Sequence, residues 1–125
     1  MVTIRMAGAK DAEMIADLSR QTFYETFAPQ NTKENIDKFM ELQFTKKELM
    51  KEVSTPGNIF YIAFHKEEPA GYVRLREKNT PPELQNVKAI EISRIYVVSG
   101  FIGKGVGRLL MLKCFETARQ RKINT

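Results

Sequence analysis

Four of the seven glycines in this 125-residue chain fall within one short stretch, VVSGFIGKGVGRLLM, from Val97 to Met111. Glycine costs conformational entropy, so such a cluster suits a backbone that turns tightly or comes close to another group. A helix opening near Gly103 would present unpaired N–H groups and the positive end of its dipole. With no side chains in the way, those donors suit an anion such as a diphosphate, and Lys104 and Arg108 add positive charge. Two other phosphate loops fit less well. A P-loop needs Ser or Thr directly after Gly-Lys, where this chain has Gly105. A dinucleotide fingerprint needs Gly-x-Gly-x-x-Gly, whereas Gly103, Gly105 and Gly107 give Gly-x-Gly-x-Gly with little chain left for the acidic residue about 20 positions on. A glycine-rich turn that holds no ligand is the plain alternative. On the strand before the loop, alternation places Glu91, Ser93, Ile95 and Val97 on one face and Ile92, Arg94, Tyr96 and Val98 on the other. With Cys114 and His65 the sole residues of their kinds, no transition-metal site is expected. Cys114 is expected to pack on a helix and His65 to lie at the surface beside a turn.

The elements that must position this loop follow from hydrophobic periodicity. VTIRMA reads as an opening strand with Val2, Ile4 and Met6 alternating. From Asp11 to Phe27, Met14, Ile15, Leu18, Phe23 and Phe27 fit one side of a helix that Pro29 ends. Asn31 with Glu34, and Thr45 with Glu48, resemble capping boxes opening two short helices, which carry Ile36, Phe39 and Met40, then Leu49, Met50 and Val53. After Pro56-Gly57 the period becomes two. NIFYIAFH and AGYVRLRE, separated by KEEP, predict an antiparallel hairpin. KNTPPELQNVK is a polar, proline-interrupted loop, and AIEISRIYVV is the next strand. Val106, Leu109, Leu110, Cys114 and Ala118 mark the buried side of a final helix. The sum is a single α/β domain over residues 1–125 with no internal repeat.

The run EISRIYVVSGFIGKGVGRLLM resembles the acetyl-CoA-binding segment of the GCN5-related N-acetyltransferases (GNAT), whose loop pattern is Gln/Arg-x-x-Gly-x-Gly/Ala. Gly105 and Gly107 take its two small positions, while Ile102 stands where the family has Gln or Arg. The resemblance implies the GNAT fold, a mixed and mainly antiparallel sheet flanked by helices, of which this chain would supply the N-terminal two-thirds. It implies acetyl-CoA as cosubstrate and no metal, with Ile95, Tyr96 and Val97 along the pantetheine arm. Gly103, Lys104, Gly105, Val106, Gly107 and Arg108 would cradle the pyrophosphate. Acetyl transfer goes directly from the thioester to an amine, with the Val97 N–H as donor to the thioester oxygen. Relatives place a carboxylate base on the preceding strand, and Glu91 is the available one, because Ser93 stands where related polyamine enzymes carry glutamate. Their leaving-group tyrosine lies after the following strand, beyond Thr125, so the domain is expected to be incomplete and this piece alone inactive. LSRQTFYETFAPQNTKENIDKFM, GYVRL and IYV together resemble the bacterial spermidine/spermine N-acetyltransferases. In that group the acceptor site borders residues 11–41, which makes Tyr24, Glu25, Phe27, Glu34 and Asp37 the expected acceptor contacts.

Charge distribution agrees with a cationic acceptor. Residues 11–41 carry Asp11, Glu13, Asp17, Glu25, Glu34, Asp37 and Glu41 against Arg20, Lys33 and Lys38. Residues 101–125 carry six basic residues against Glu116 alone, so one region attracts a cation and the other an anion. The pI near 9.4 raises a basic nucleic-acid-binding module as a rival. No recognised binding motif supports it, and the aromatics follow core periodicity. A third reading is a non-catalytic acyl-CoA sensor. No apolar run approaches the ~20 residues that span a bilayer. The first residues lack an apolar signal core, and with a single cysteine no internal disulfide can form. The expected setting is therefore cytoplasmic, with a small-molecule amine as partner, a homodimer as the assembly, and neither nucleic acid nor membrane.

Overall fold

The computed structural model describes residues 2–78 and 89–120. Four strands, β1 (Val2–Met6), β2 (Asn58–His65), β3 (Glu68–Lys78) and β4 (Ala89–Val97), form one antiparallel sheet in the order β1-β2-β3-β4. The helices are α1 (Ala12–Phe27), α2 (Lys33–Gln43), α3 (Lys46–Ser54) and α4 (Val106–Gln120). This is the α/β arrangement that the periodicity predicts, and most of the proline-interrupted loop lies outside the described residues.

Alternation along the strands builds two cores, one on each sheet face. Ile59, Tyr61, Val73 and Leu75 meet Val106, Leu110 and Cys114 of α4 on one side. Phe60, Ile62 and Tyr72 meet Ile15 and Leu18 of α1 on the other, with Val53 of α3 against them. Burying each such large apolar side chain stabilises by roughly 1.5–3 kcal/mol. The buried side of α4 differs from expectation at two positions. Leu109 is exposed, and Thr117 is buried in its place because its hydroxyl meets the Tyr61 hydroxyl at 2.7 Å.

Capping also departs from the sequence pattern at one helix. Thr45 caps α3 as expected, accepting from the Glu48 N–H. At α2 the cap is Thr32, not Asn31: Thr32 is extended and accepts from the Asn35 N–H at 3.1 Å. Asn31 instead donates to the Phe27 carbonyl and closes the end of α1. Phe23 and Phe27 leave the main core as well. Phe23 contacts Phe27, Phe39 and Phe44 with ring centroids 4.6, 5.1 and 4.7 Å away, a separate aromatic cluster between α1 and α2.

The start of α1 is tied to β1 by charge. Both Arg5 guanidinium nitrogens donate to Asp11 at 2.9 Å, as does the Gly8 N–H. The Arg5 hydrogen bond, then that from Gly8, holds the Asp11 carboxyl down at about 2.

The β2–β3 hairpin turns on Lys66 and Glu67, with φ of 51° and 70°. Two left-handed residues define the turn that matches strand twist, but side chains make that conformation costly. Replacing Lys66-Glu67 with Asn-Gly is therefore expected to stabilise the fold by about 1–2 kcal/mol, measured as an increase in the midpoint of urea unfolding at unchanged m-value.

Candidate active site

The site centres on the C-terminal half of β4 and the turn that follows it. The Val98 N–H donates to the Ala70 carbonyl at 2.8 Å. Strand alternation then directs the N–H and C=O of Tyr96 toward β3, and those of Ile95 and Val97 away from it. Among the described residues β4 has a neighbour on one side only, so the Ile95 and Val97 groups line an open edge. Beneath this point Gly71 leaves no space for a side chain: a Cβ there would lie 2.7 Å from the Tyr96 carbonyl oxygen and 3.3 Å from Val106. Its glycine lets the start of α4 settle against β3 and β4.

After β4 the chain makes a tight turn over Ser99–Phe101, then a second turn into α4. Gly103 and Gly105 have φ of +90° and +83°, the left-handed region that side chains disfavour, and open space surrounds both. The helix begins at Val106, later than the expected Gly103, because those two glycines continue the turn. The Lys104 N–H donates to the Phe101 carbonyl at 3.3 Å, so this amide is used within the turn and corrects its place in the expected cradle. The Leu109 N–H closes the first α4 bond on Gly105 at 3.1 Å. The amides of Val106, Gly107 and Arg108 fall in the first helical turn, where no preceding carbonyl is available to them. The donors and the uncluttered space suit a diphosphate.

Facing β4 across the helix layer, the Glu25 carboxylate accepts from the Ser99 N–H at 3.0 Å and from Gln21 at 3.2 Å. Tyr24 is half-buried one residue earlier, and Phe27 belongs to the aromatic cluster. Glu34 and Asp37 are exposed on α2, and Asp37 pairs with Lys33 at 2.9 Å. The fold thus brings Glu25 to the end of β4 and leaves Glu34 and Asp37 on a solvent face.

The register of β4 overturns the expected side-chain faces. Arg74 opposes Arg94 and Leu75 opposes Ile92, so Ser93 is an extra residue, a bulge. Below the bulge the faces exchange. Glu91 opposes Arg76, 3.7 Å from it, and shares the helix-layer face with Arg94 and Tyr96, not the face of Ile95 and Val97. His65 is half-buried, its ring 5.3 Å from Phe101. Burial, then the charges of Lys66 and Lys104, pushes its pKa down.

One polar group escaped the sequence analysis. Glu52 of α3 accepts from Arg94 at 2.8 Å and lies 3.6 Å from Arg74, which also donates to Asn58 at 3.2 Å. Burial lowers the Arg94 pKa, but the Glu52 hydrogen bond and charge outweigh it and leave the value raised. For Arg74 burial prevails and the value falls. The sequence signal was present in GYVRL and ISRIYV, each of which places arginine inside an otherwise apolar strand.

Among the described residues the site is thus an open strand edge beside a glycine-turned helix N-terminus. The sequence comparisons identify the chain: the model of the Acetyltransferase (GNAT) family matches residues 13–125, and the chain belongs to that family of acetyl-CoA-dependent N-acetyltransferases. An uncharacterised N-acetyltransferase of Lactobacillus delbrueckii subsp. lactis is 33% identical over 120 residues, 96% of this chain and 67% of that protein. The PaiA N-acetyltransferase of Thermoplasma acidophilum, solved with coenzyme A, superposes with a TM-score of 0.77 at 21% identity, covering 98% of this chain and 75% of its own. An aminoglycoside acetyltransferase from a soil metagenome, solved with sisomicin, gives 0.75 at 13% identity over 98% and 73%. These two likenesses show the fold. Among the described residues no helix is long and apolar enough to cross a membrane, and no group of three or more His, Cys, Asp or Glu could hold a metal ion.

If Glu25 secures the turn after β4, Glu25→Ala should accelerate hydrogen exchange of the Ser99 amide by about tenfold, with the α4 core amides near Leu110 unchanged. Equal acceleration at both places would refute a local role.

Proposed function

We propose that this chain is an acetyltransferase domain whose acceptor is a primary amine on a small cation of the polyamine type. The observation that carries the reading is the adjacency of two donor sets: outward amides on β4 and the glycine-exposed amides that open α4. The Gly103, Gly105, Val106, Gly107 and Arg108 amides, with the Lys104 and Arg108 side chains, would hold the diphosphate. Ile95 and Val97 would pair with the amides of the pantetheine arm as an added strand does, and Tyr96 contributes its side chain, since its backbone is engaged with β3. When bound, acetyl-CoA supplies an activated acyl thioester. The Val97 N–H points off the open edge, where a donor can stabilise charge developing on the thioester oxygen.

The acceptor approaches from the helix layer, where Glu25 stands at the end of β4 and Tyr24 precedes it on α1. A polyamine nitrogen is protonated near neutral pH and must lose a proton before attack. Glu91 is the carboxylate on β4, on the same sheet face as Tyr96. The four residues from Arg76 to Tyr72 on the paired strand put it roughly 13 Å from Tyr96 along the sheet. Proton removal by Glu91 therefore requires a chain of several waters, since one water spans only hydrogen-bond reach. Glu34 and Asp37 enter as charge that draws a cation toward α1.

Calorimetric titration with acetyl-CoA tests the cofactor half. Gly105→Glu places an anion in the cradle at a backbone angle hostile to side chains, and should reduce affinity by at least about 100-fold; unchanged affinity would remove the loop assignment. For the acceptor half, the double reversal Glu34→Lys with Asp37→Lys should weaken spermidine about threefold more than a neutral amine, and more so at low salt. Equal weakening of the two amines would eliminate the cationic acceptor.

A further inference from the structure

We propose that Arg94 is a positioning residue, which fixes the outward-facing segment Ile95–Val97 of β4 by locking the strand to the α2–α3 corner. The inference rests on the acetyl-CoA reading above and concerns a residue that plays no part in it.

β4 is an edge strand among the described residues, and a bulge at Ser93 bends it just before the segment that matters. An edge strand has half the ladder bonds of a central one, and a bulge removes more, so backbone pairing alone holds Ile95–Val97 loosely. Arg94 directly follows the bulge. Its guanidinium donates to Glu52 of α3 at 2.8 Å and lies over the Phe44 ring, 5.6 Å from the centroid. Phe44 ends α2, and Arg20 of α1 donates to its carbonyl and, at 3.1 Å, to that of Met40. Glu52 is held in turn through Asn58, whose side-chain amide donates to the Glu52 carbonyl at 2.9 Å. One arginine thus joins the strand to α3 and the end of α2, which Arg20 in turn ties to α1.

This junction is polar and largely buried. Glu52 Oε1 and Arg94 Nη1 have no hydrogen-bond partner among the described residues, and burial pushes the Tyr72 phenol up although hydrogen bonding to Ser19 and Arg94 opposes it. Unpaired buried polar atoms are costly, and apolar side chains of similar volume fill such a space at lower cost. The α4 side of the same sheet shows the cheaper solution, with Val73, Leu75, Val106 and Leu110 in contact. What the charged junction supplies is direction: a planar fork and a ring face fix Arg94 in one orientation, which an apolar contact does not.

Arg94→Met separates geometry from stability. It leaves Glu52 paired one-to-one with Arg74, so the melting temperature should stay within a few degrees of wild type. Coenzyme A affinity should fall about tenfold, the equivalent of one or two lost edge hydrogen bonds. Adenosine 3′,5′-bisphosphate extended by a second 5′-phosphate lacks the pantetheine arm, relies on the α4 amides, and should bind within about twofold of wild type. Arg94→Lys, which keeps the charge but not the fork, should resemble Arg94→Met. Equal losses for both ligands, or none for either, would overturn the role of Arg94 while leaving the cofactor site intact. If Arg94→Met does not fold, Arg94→Lys carries the same comparison alone. Failure of wild-type protein to bind either ligand would overturn the acetyl-CoA reading and this inference together.

Discussion

One extra residue in β4 governs the geometry around the site. With Ser93 set out of register, the strand keeps its pairing to β3 on both sides but exchanges the faces of its side chains below that point. Ile95 and Val97 pack toward the α4 core while their peptide groups point off the sheet edge, and Arg94 and Tyr96 turn toward the helix layer. A regular strand would have put Glu91 under α4, among apolar side chains, where a carboxylate is expensive to bury. The bulge places it opposite Arg76 instead.

The two faces of the sheet are built on different principles. Under α4 the contacts are apolar, with the Tyr61 and Thr117 hydroxyls hydrogen-bonded to each other among them. Under α1 and α3 the apolar centre of Phe60, Ile62 and Tyr72 is bordered by arginines paired to Glu52. The first face holds the sheet together. The second sets the angle at which helices and strand meet, because hydrogen bonds and guanidinium forks have directions and dispersion contacts do not.

Membership of the GNAT family fixes the class of reaction, and the local geometry fits its cofactor. Side-chain-free turns, early helix amides and a strand edge that is open among the described residues converge at one end of the sheet, each a known means of binding anions or amides. Solved relatives of this fold include enzymes named for ribosomal-protein alanine and for aminoglycosides, so the fold itself does not select an acceptor. On the α1 side, Glu25 is tied by a hydrogen bond to Ser99, in the turn that follows β4.

Much of the architecture was legible in the chain. NIFYIAFH is β2 residue for residue, the helix from Asp11 to Phe27 differs from α1 by one position, and Thr45 caps where its pattern says. Local order of this kind is encoded locally, in periodicity, proline placement and hydrogen bonds spanning a few residues. The glycine loop was likewise visible, since only glycine takes positive φ at low cost. The partner of Arg94, the placing of the β4 bulge at Ser93 and the exposure of Leu109 were not. Each depends on which residue lies opposite in space, across a sheet register or a helix interface, and spacing along the chain holds no record of it.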